Sequence, residues 1–351
     1  MTEETAVRLF EACGLGKALL PVTPVSGGLM HRMYRVDTRE GSYAVKRLNP
    51  EIMKRPDAMA NYRRAEALEK ILEEAHIPIV PALTLGGRKM QELDGEYFYI
   101  FRWHGGRPTD WHNITAPQCR QAGRVLGRIH ALRPERTGRA APENSAADWN
   151  KYAGEAERQQ SIVAPILREN IGLLEYAREA LNGARQVLPG IECISDEDMD
   201  PKNVMWDGDS PAVIDLECLD FGNPVSHALQ LSLQWAGITV LDFDPGLLRT
   251  FFEGYLEAWD SGFRDYGSVL GVAYTWIEWL EYNVIRALRG PDESERATGI
   301  AETVNTIRRI GYLREHEGVI RENLRRIFPN PGHAGNTRRP SHSSSAPARG
   351  K

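Results

Sequence analysis

Asp198, Asn203 and Asp215 are the residues whose types and spacing could do chemistry. Asp198 and Asn203 stand as D-x-x-x-x-N in Ser195-Asp196-Glu197-Asp198-Met199-Asp200-Pro201-Lys202-Asn203-Val204-Met205-Trp206, the spacing of loops that catalyse phosphoryl transfer. Asp215 follows the apolar run Ala212-Val213-Ile214, which predicts a place at the end of a buried strand. Asp207-Gly208-Asp209-Ser210-Pro211 between them is turn chemistry. The pattern predicts a β-hairpin with one carboxylate before its first strand and another just after its second. Phosphoryl transfer needs little covalent work from a protein. It needs positioning and charge neutralisation. Asp198 is the candidate base for the attacking hydroxyl. Asp215 and the amide oxygen of Asn203 are the hard oxygen donors that Mg2+ prefers.

Phosphates need cations and backbone amides as well. Ser42-Tyr43-Ala44-Val45-Lys46-Arg47-Leu48 reads as a strand similar to Val-Ala-Ile-Lys, with Lys46 as the phosphate-pairing lysine. Strand alternation puts Lys46 on one face with Ala44 and Leu48, and Arg47 on the solvated face. Residues 57–74 read as a helix. Kinase-type sites take a glutamate from such a helix to hold the lysine. Glu66, on a stripe with Met59 and Tyr62, is the candidate, with Glu69 and Glu73 as alternatives. Ser26, Gly27 and Gly28 form a turn between two strands whose backbone could approach a phosphate closely.

The Ser195–Trp206 segment resembles the catalytic loop of the aminoglycoside phosphotransferase and choline kinase family. Ile214-Asp215-Leu216-Glu217 looks like that family's metal-binding segment. The resemblance implies ATP (or GTP) and Mg2+ as the cosubstrate and metal. It also implies a hinge at the backbone of Phe101 to Trp103 for the adenine edge. Helices near the C-terminal end would wall the acceptor pocket, where Asp220, Glu278 and Glu281 are the acidic candidates for a cationic substrate. Two departures stand out. Asp196 occupies the place where the family usually has a loop-bracing His, and His227 lies where an acidic residue is usual. Only six residues separate Glu217 from Pro224, too few for the activation segment of a protein kinase, which favours a small-molecule hydroxyl acceptor.

The implied fold is α+β: a two-lobed, protein-kinase-like fold with a small β-rich lobe over 1–103 and a larger helical lobe over 104–328. Further helices are expected over 3–18 (with Gly14 as a stop), 148–186 (with breaks at Gly172 and Gly183), 228–236, 246–259, 268–289 and 296–327, and after a Thr115-x-x-Gln118 capping box that opens a helix carrying His130; short strands are expected over 79–83 and 97–103. Residues 133–147 read as an irregular loop and 329–351 as a disordered basic tail. The length of 351 residues suits two lobes, and 42% hydrophobic with 26% charged residues suits a soluble globular chain. A net charge of −5 gives no reason to expect nucleic acid. No run reaches the ~18 apolar residues of a membrane span. The first residues lack a signal peptide's pattern, and the four cysteines lack metal or redox spacing, so a cytoplasmic location is expected. Three activities remain open: an antibiotic-modifying kinase that confers resistance, a metabolic kinase for an amino alcohol, sugar or amino acid, and a nucleotide-binding protein without catalysis.

Overall fold

The computed structural model describes residues 1–25, 30–132 and 144–329. The Ser26–Gly28 turn, most of the 133–147 loop and the tail beyond Pro329 lie outside the described residues. The chain opens with α1 (Glu3–Ala12), shorter than the 3–18 expected because Gly14 turns the backbone left-handed at φ 67°. Then come β1 (Leu19–Val25), β2 (Arg32–Thr38), β3 (Gly41–Arg47), the short α2 (Pro50–Met53), α3 (Ala58–Glu74), β4 (Gln91–Leu93) and β5 (Glu96–Arg102). The strands form one antiparallel sheet in the order β1-β2-β3-β5-β4. Asp94 and Gly95 close the β4–β5 hairpin, both at positive φ as a two-residue primed turn requires.

Alternation along these strands separates two layers. Tyr34, Val36, Tyr43, Val45, Phe98 and Ile100 pack beneath α1 against Leu9 and Phe10. Leu48 and Tyr99 face the other way, against Tyr62 and Ala58 of α3. Lys46 pairs with Tyr99 across the sheet and so lies on the α3 side. Arg47 is not simply solvated: it is half-buried and ion-paired with Glu96.

The rest of the chain is β6 (Arg107–Pro108), α4 (Ala116–Ala131), α5 (Trp149–Arg158), α6 (Val163–Val187), β7 (Cys193–Asp196), β8 (Val204–Asp207), β9 (Ser210–Val213), β10 (Leu219–Gly222), α7 (Pro224–Trp235), α8 (Pro245–Ala258), α9 (Trp276–Arg289) and α10 (Glu293–Ile327). Thr115 and Gln118 make the capping box expected at the start of α4. Three expectations change. Residues 79–83 make isolated bridges rather than a strand, among them Ile79 to Val213, which ties the first sheet's connection to β9. The 148–186 region breaks at 159–162, and Gly172 and Gly183 stay helical with open space around them. Residues 270–275 form a 3₁₀ turn, and Gly271 within it lies against α6 with no room for a side chain: a Cβ there would sit 2.1 Å from the Ala180 carbonyl oxygen.

Glycines also set the contact between α4 and α8. A Cβ on Gly123 would lie 2.0 Å from the Phe251 carbonyl oxygen, and one on Gly254 would lie 1.9 Å from that of Arg120. Both obstacles are backbone, so neither can swing aside. Gly254→Ala is therefore expected to destabilise the protein by about 1–3 kcal/mol or more, read as a lower denaturation midpoint. An unchanged midpoint would show that the two helices can part without cost. The same contact sets the position of α4, which carries the buried His130.

Candidate active site

The β8–β9 hairpin forms where the turn residues predict it, with Val204 opposite Val213 and Asp207 opposite Ser210. The loop before β8 is closed by its own polar groups. Asp200 Oδ1 accepts from Lys202 N at 3.1 Å, and Asn203 N donates to the Asp200 carbonyl at 3.0 Å. Asn203 Nδ2 donates to the Asp198 carbonyl at 2.8 Å, so its Oδ1 is the atom left for a ligand. Lys202 Nζ bridges Asp198 (3.2 Å) and Asp200 (2.7 Å). Burial raises the Asp198 carboxyl above the ordinary aspartate value, against the pull of Lys202. Burial likewise raises Asp200, to about 6.

Directly after β9, Asp215 adopts left-handed backbone angles, φ 64° and ψ 53°. Aspartate tolerates this region better than most residues, and strain of this kind clusters at functional sites. Asp215 Oδ1 lies 2.6 Å from Lys46 Nζ, and Glu217 Oε1 lies 2.7 Å from the same nitrogen. The ammonium is almost wholly buried. Burial alone would lower its pKa, but Glu217 and Asp215 outweigh that and hold it above the lysine value. Glu217 turns its other oxygen to His31, at 3.0 Å from Nε2. His31 Nδ1 accepts the Asn49 amide at 3.0 Å, which places the ring proton on Nε2, facing Glu217. Lys46 and His31 together keep the Glu217 carboxyl well below the glutamate range in spite of burial.

This corrects the expected lysine partner. Glu66 accepts from the Tyr99 hydroxyl at 2.9 Å and from Met90 N at 3.2 Å, and makes no ion pair with Lys46. The alternatives are engaged too: Glu69 with Ala82 N and Lys89, and Glu73 with Lys89. Tyr62, one turn before Glu66, is the α3 residue beside this cluster: its hydroxyl lies 3.5 Å from His31 Nε2. Glu217 takes the place that Glu66 was expected to fill. Its only signal in the sequence is its position two residues after Asp215. His31 follows the Ser26–Gly28 turn and gave no signal at all.

The two unusual residues, Asp196 and His227, meet. Asp196 is fully buried, its Oδ1 accepts from Asp198 N at 3.2 Å, and its Oδ2 has no partner among the described residues. Burial, then the nearby Asp198 carboxylate, pushes the Asp196 carboxyl well above its usual value. His227 Nε2 donates to the Asp196 carbonyl at 2.6 Å, which leaves Nδ1 as an acceptor from His130 Nε2 (3.0 Å) and Ser195 Oγ (2.9 Å). Tyr255 of α8 donates to His130 Nδ1 at 2.8 Å. A side-chain chain thus runs from α8 through α4 and α7 into the loop before β8, with the buried His130 as its link in α4.

Burial drops His227 to about 4, and His130 is lowered as well. An unfolded imidazole titrates near ~6.5, so this stability is complete above about pH 6.5 and is lost as pH falls toward 4. Denaturant unfolding at pH 5 is expected to show about 2 kcal/mol less stability than at pH 7 from His227 alone. The His227→Gln variant should show a flatter profile. Equal slopes in the two proteins would contradict this assignment.

The sequence matches the family model described as "Phosphotransferase enzyme family" over residues 21–262, which spans the lysine strand, the catalytic loop and Asp215. The chain belongs to the phosphotransferase enzyme family. None of the curated proteins matches the sequence. Among solved structures, spectinomycin phosphotransferase in complex with ADP and spectinomycin is similar at TM-score 0.64 and 14% identity, covering 88% of this chain and 97% of that one. A microcompartment-associated aminopropanol kinase is similar at TM-score 0.60 and 14% identity, covering 90% and 98%. Plasmodium vivax ethanolamine kinase is similar at TM-score 0.57 and 15% identity, covering 83% of each chain. Identities this low establish the fold, which is that of the protein-kinase-like small-molecule kinases.

Other residues of this phosphotransferase stand less simply. Phe101 is paired with Ala44 and bridged to Ala82, and Trp103 N donates to the Ser42 carbonyl at 3.0 Å, so that amide is already used. The Trp103 ring carries the Arg35 guanidinium at 4.7 Å. The three acidic acceptor candidates all have protein partners. Asp220 binds Arg64 at 3.1 Å, Glu278 binds Arg185 through both oxygens at 2.8 and 3.1 Å, and Glu281 accepts from the Tyr152 hydroxyl at 2.7 Å. None of the three is a free carboxylate. No described helix is long and apolar enough to cross a membrane.

Proposed function

We propose that this phosphotransferase moves the γ-phosphoryl group of ATP to a hydroxyl of a small molecule, with Asp198 as base. The observation that supports it best is the meeting of Lys46, Asp215 and Glu217 at the base of the hairpin that also carries Asp198 and Asn203. Asp198 takes the proton of the acceptor hydroxyl as its oxygen bonds to the γ-phosphorus and the bond to the β–γ bridging oxygen breaks, releasing ADP. Lys46 has three N–H donors. Two meet Asp215 and Glu217, and the third can reach a phosphate oxygen. Glu217 and His31 fix the lysine, and Asp196 and His227 fix the loop.

The oxygens of Asp215 and Asn203 suit Mg2+, which takes one or two protein oxygens and completes its shell with phosphates and water. Among the described residues no cluster of three His, Cys, Asp or Glu side chains could hold an ion alone, in keeping with a metal that arrives with its nucleotide. When bound, the metal would supply neutralisation of phosphate charge.

The acceptor we favour is a hydroxyl compound bearing an amine, either aminoglycoside-like or an amino alcohol. The neighbouring structures named for spectinomycin and aminopropanol support that class. The test is ADP release from magnesium-ATP across aminoglycosides, amino alcohols, hydroxy amino acids and simple sugars. Stimulation by one class is the expected result. A flat response with ATP bound would contradict the reading and favour a silent nucleotide-binding protein.

A further inference from the structure

Lys202 places a cation at the proposed base itself. Its Nζ lies 3.2 Å from Asp198 Oδ1 and 2.7 Å from Asp200 Oδ2. An ammonium has three N–H donors, so two are engaged and the third has no partner among the described residues. The side chain is 44% exposed, which leaves that donor open to a ligand arriving from solvent. Lys46 differs: its side chain is 6% exposed and lies between Asp215 and Glu217. Lys202 engages only one oxygen of Asp198. The other, Oδ2, makes no hydrogen bond among the described residues and is left for the acceptor hydroxyl.

Local backbone fixes this placement. Asp200 caps the 3₁₀ turn Pro201–Asn203, where Lys202 N donates to Asp200 Oδ1 at 3.1 Å. Asn203, the candidate metal donor, is the next residue and donates from Nδ2 to the Asp198 carbonyl at 2.8 Å. One tight turn therefore carries the ammonium and the metal-side amide, and Asp198 is bonded to both. A base stands within ~3 Å of the hydroxyl oxygen it deprotonates, and that same oxygen forms the new bond to phosphorus. A cation 3.2 Å from Asp198 thus lies close to the group being transferred. The charges call for one there. Asp215 repels the Asp198 carboxylate, and Asp198 repels Asp200. An incoming triphosphate meets charge of its own sign on this side of the site, and Lys202 is the ion-pair partner of both loop carboxylates.

We propose that Lys202 is a catalytic residue whose third N–H donates to an oxygen of the γ-phosphoryl group as that group passes to the acceptor. This rests on the phosphotransfer reading and deepens it. The acceptor oxygen bonds to phosphorus, the bond to the β–γ bridging oxygen breaks, Asp198 takes the acceptor's proton, and the ammonium keeps all of its own. Charge spreads over the equatorial oxygens in that transition state, and a donor already fixed beside them stabilises it without reorganising. Asp200 is the positioning residue that holds the ammonium in place.

The test uses the full chain and two probes: magnesium-ADP alone, and magnesium-ADP with aluminium fluoride, which imitates the transferring phosphoryl group. Calorimetry is expected to show the wild type binding the second about 10²-fold more tightly than the first. Lys202→Met should lose most of that gain and keep its affinity for magnesium-ADP within about twofold. In ADP release with spectinomycin, aminopropanol or ethanolamine, its kcat should fall about 10²- to 10³-fold with the KM for ATP nearly unchanged. Lys202→Arg should recover part of both losses. A merely structural lysine would serve only to satisfy Asp200. Removing the pair together in an Asp200→Asn, Lys202→Met double variant would then restore wild-type behaviour. The proposal expects that variant to stay as impaired as Lys202→Met, and it carries the test where the single variant does not fold. The aluminium fluoride gain kept in folded Lys202→Met, an equal loss on magnesium-ADP alone, or recovery in the double variant overturns the proposal while the phosphotransfer reading stands. No gain in the wild type itself overturns both.

Discussion

Asp215→Asn should cut ADP production from magnesium-ATP by about 10³-fold while the protein stays folded, since on the proposed mechanism Asp215 holds the metal and losing such a carboxylate forfeits several kcal/mol of transition-state charge stabilisation. Asparagine is the informative replacement. It fits the left-handed backbone at φ 64° as readily as aspartate, so strain is not added. Lys46 keeps Glu217 as a partner, so no buried ammonium is orphaned. Asp215→Ala should lose as much activity, with an added stability cost at that backbone angle. The measurements are the coupled ADP assay and a circular dichroism melt. Activity within a few-fold of wild type in a folded Asp215→Asn protein would remove Asp215 from the mechanism.

Asp198→Ala comes second, with kcat expected to fall about 10²- to 10⁴-fold, the usual contribution of a positioned base. Nucleotide affinity should hardly change, because Lys46, Asp215 and Glu217 form their own set. Lys202 retains Asp200 at 2.7 Å, so the loop keeps its internal pairing. A base works deprotonated, so the wild-type rate should fall on the acid side, with a midpoint above the ordinary aspartate range because burial raises Asp198. A loss of ATP binding equal to the loss of rate would show that Asp198 holds the nucleotide instead.

What the sequence revealed followed from local spacing. The hairpin, Asp198, Asn203 and Asp215 lie within one short stretch whose turn and strand residues dictate their relation. Lys46 was legible because strand alternation assigns its face. The error at Glu66 has the same root. Helical spacing shows which residues share a face, but not which of them reaches a strand lysine across the sheet. Here Tyr62 fills that side of α3, and Glu66 turns to Tyr99. The pairing of Asp196 with His227 joins residues 31 apart and depends on β7 and α7 being brought together, which no local pattern encodes. The helical region was legible from apolar periodicity. It failed over 270–275, a 3₁₀ turn in which Gly271 packs against α6.

The most direct test of the central claim is to follow the γ-phosphoryl group itself. The wild-type protein would be incubated with γ-labelled ATP, magnesium and the acceptor that stimulates ADP release, then with excess chelator in a parallel sample. The account predicts label recovered as a phosphate ester on an acceptor hydroxyl, matching the ADP formed, and abolished by the chelator. Label found only as free phosphate at a rate indifferent to acceptor, or an ester formed equally well by the Asp198→Ala protein, would contradict it.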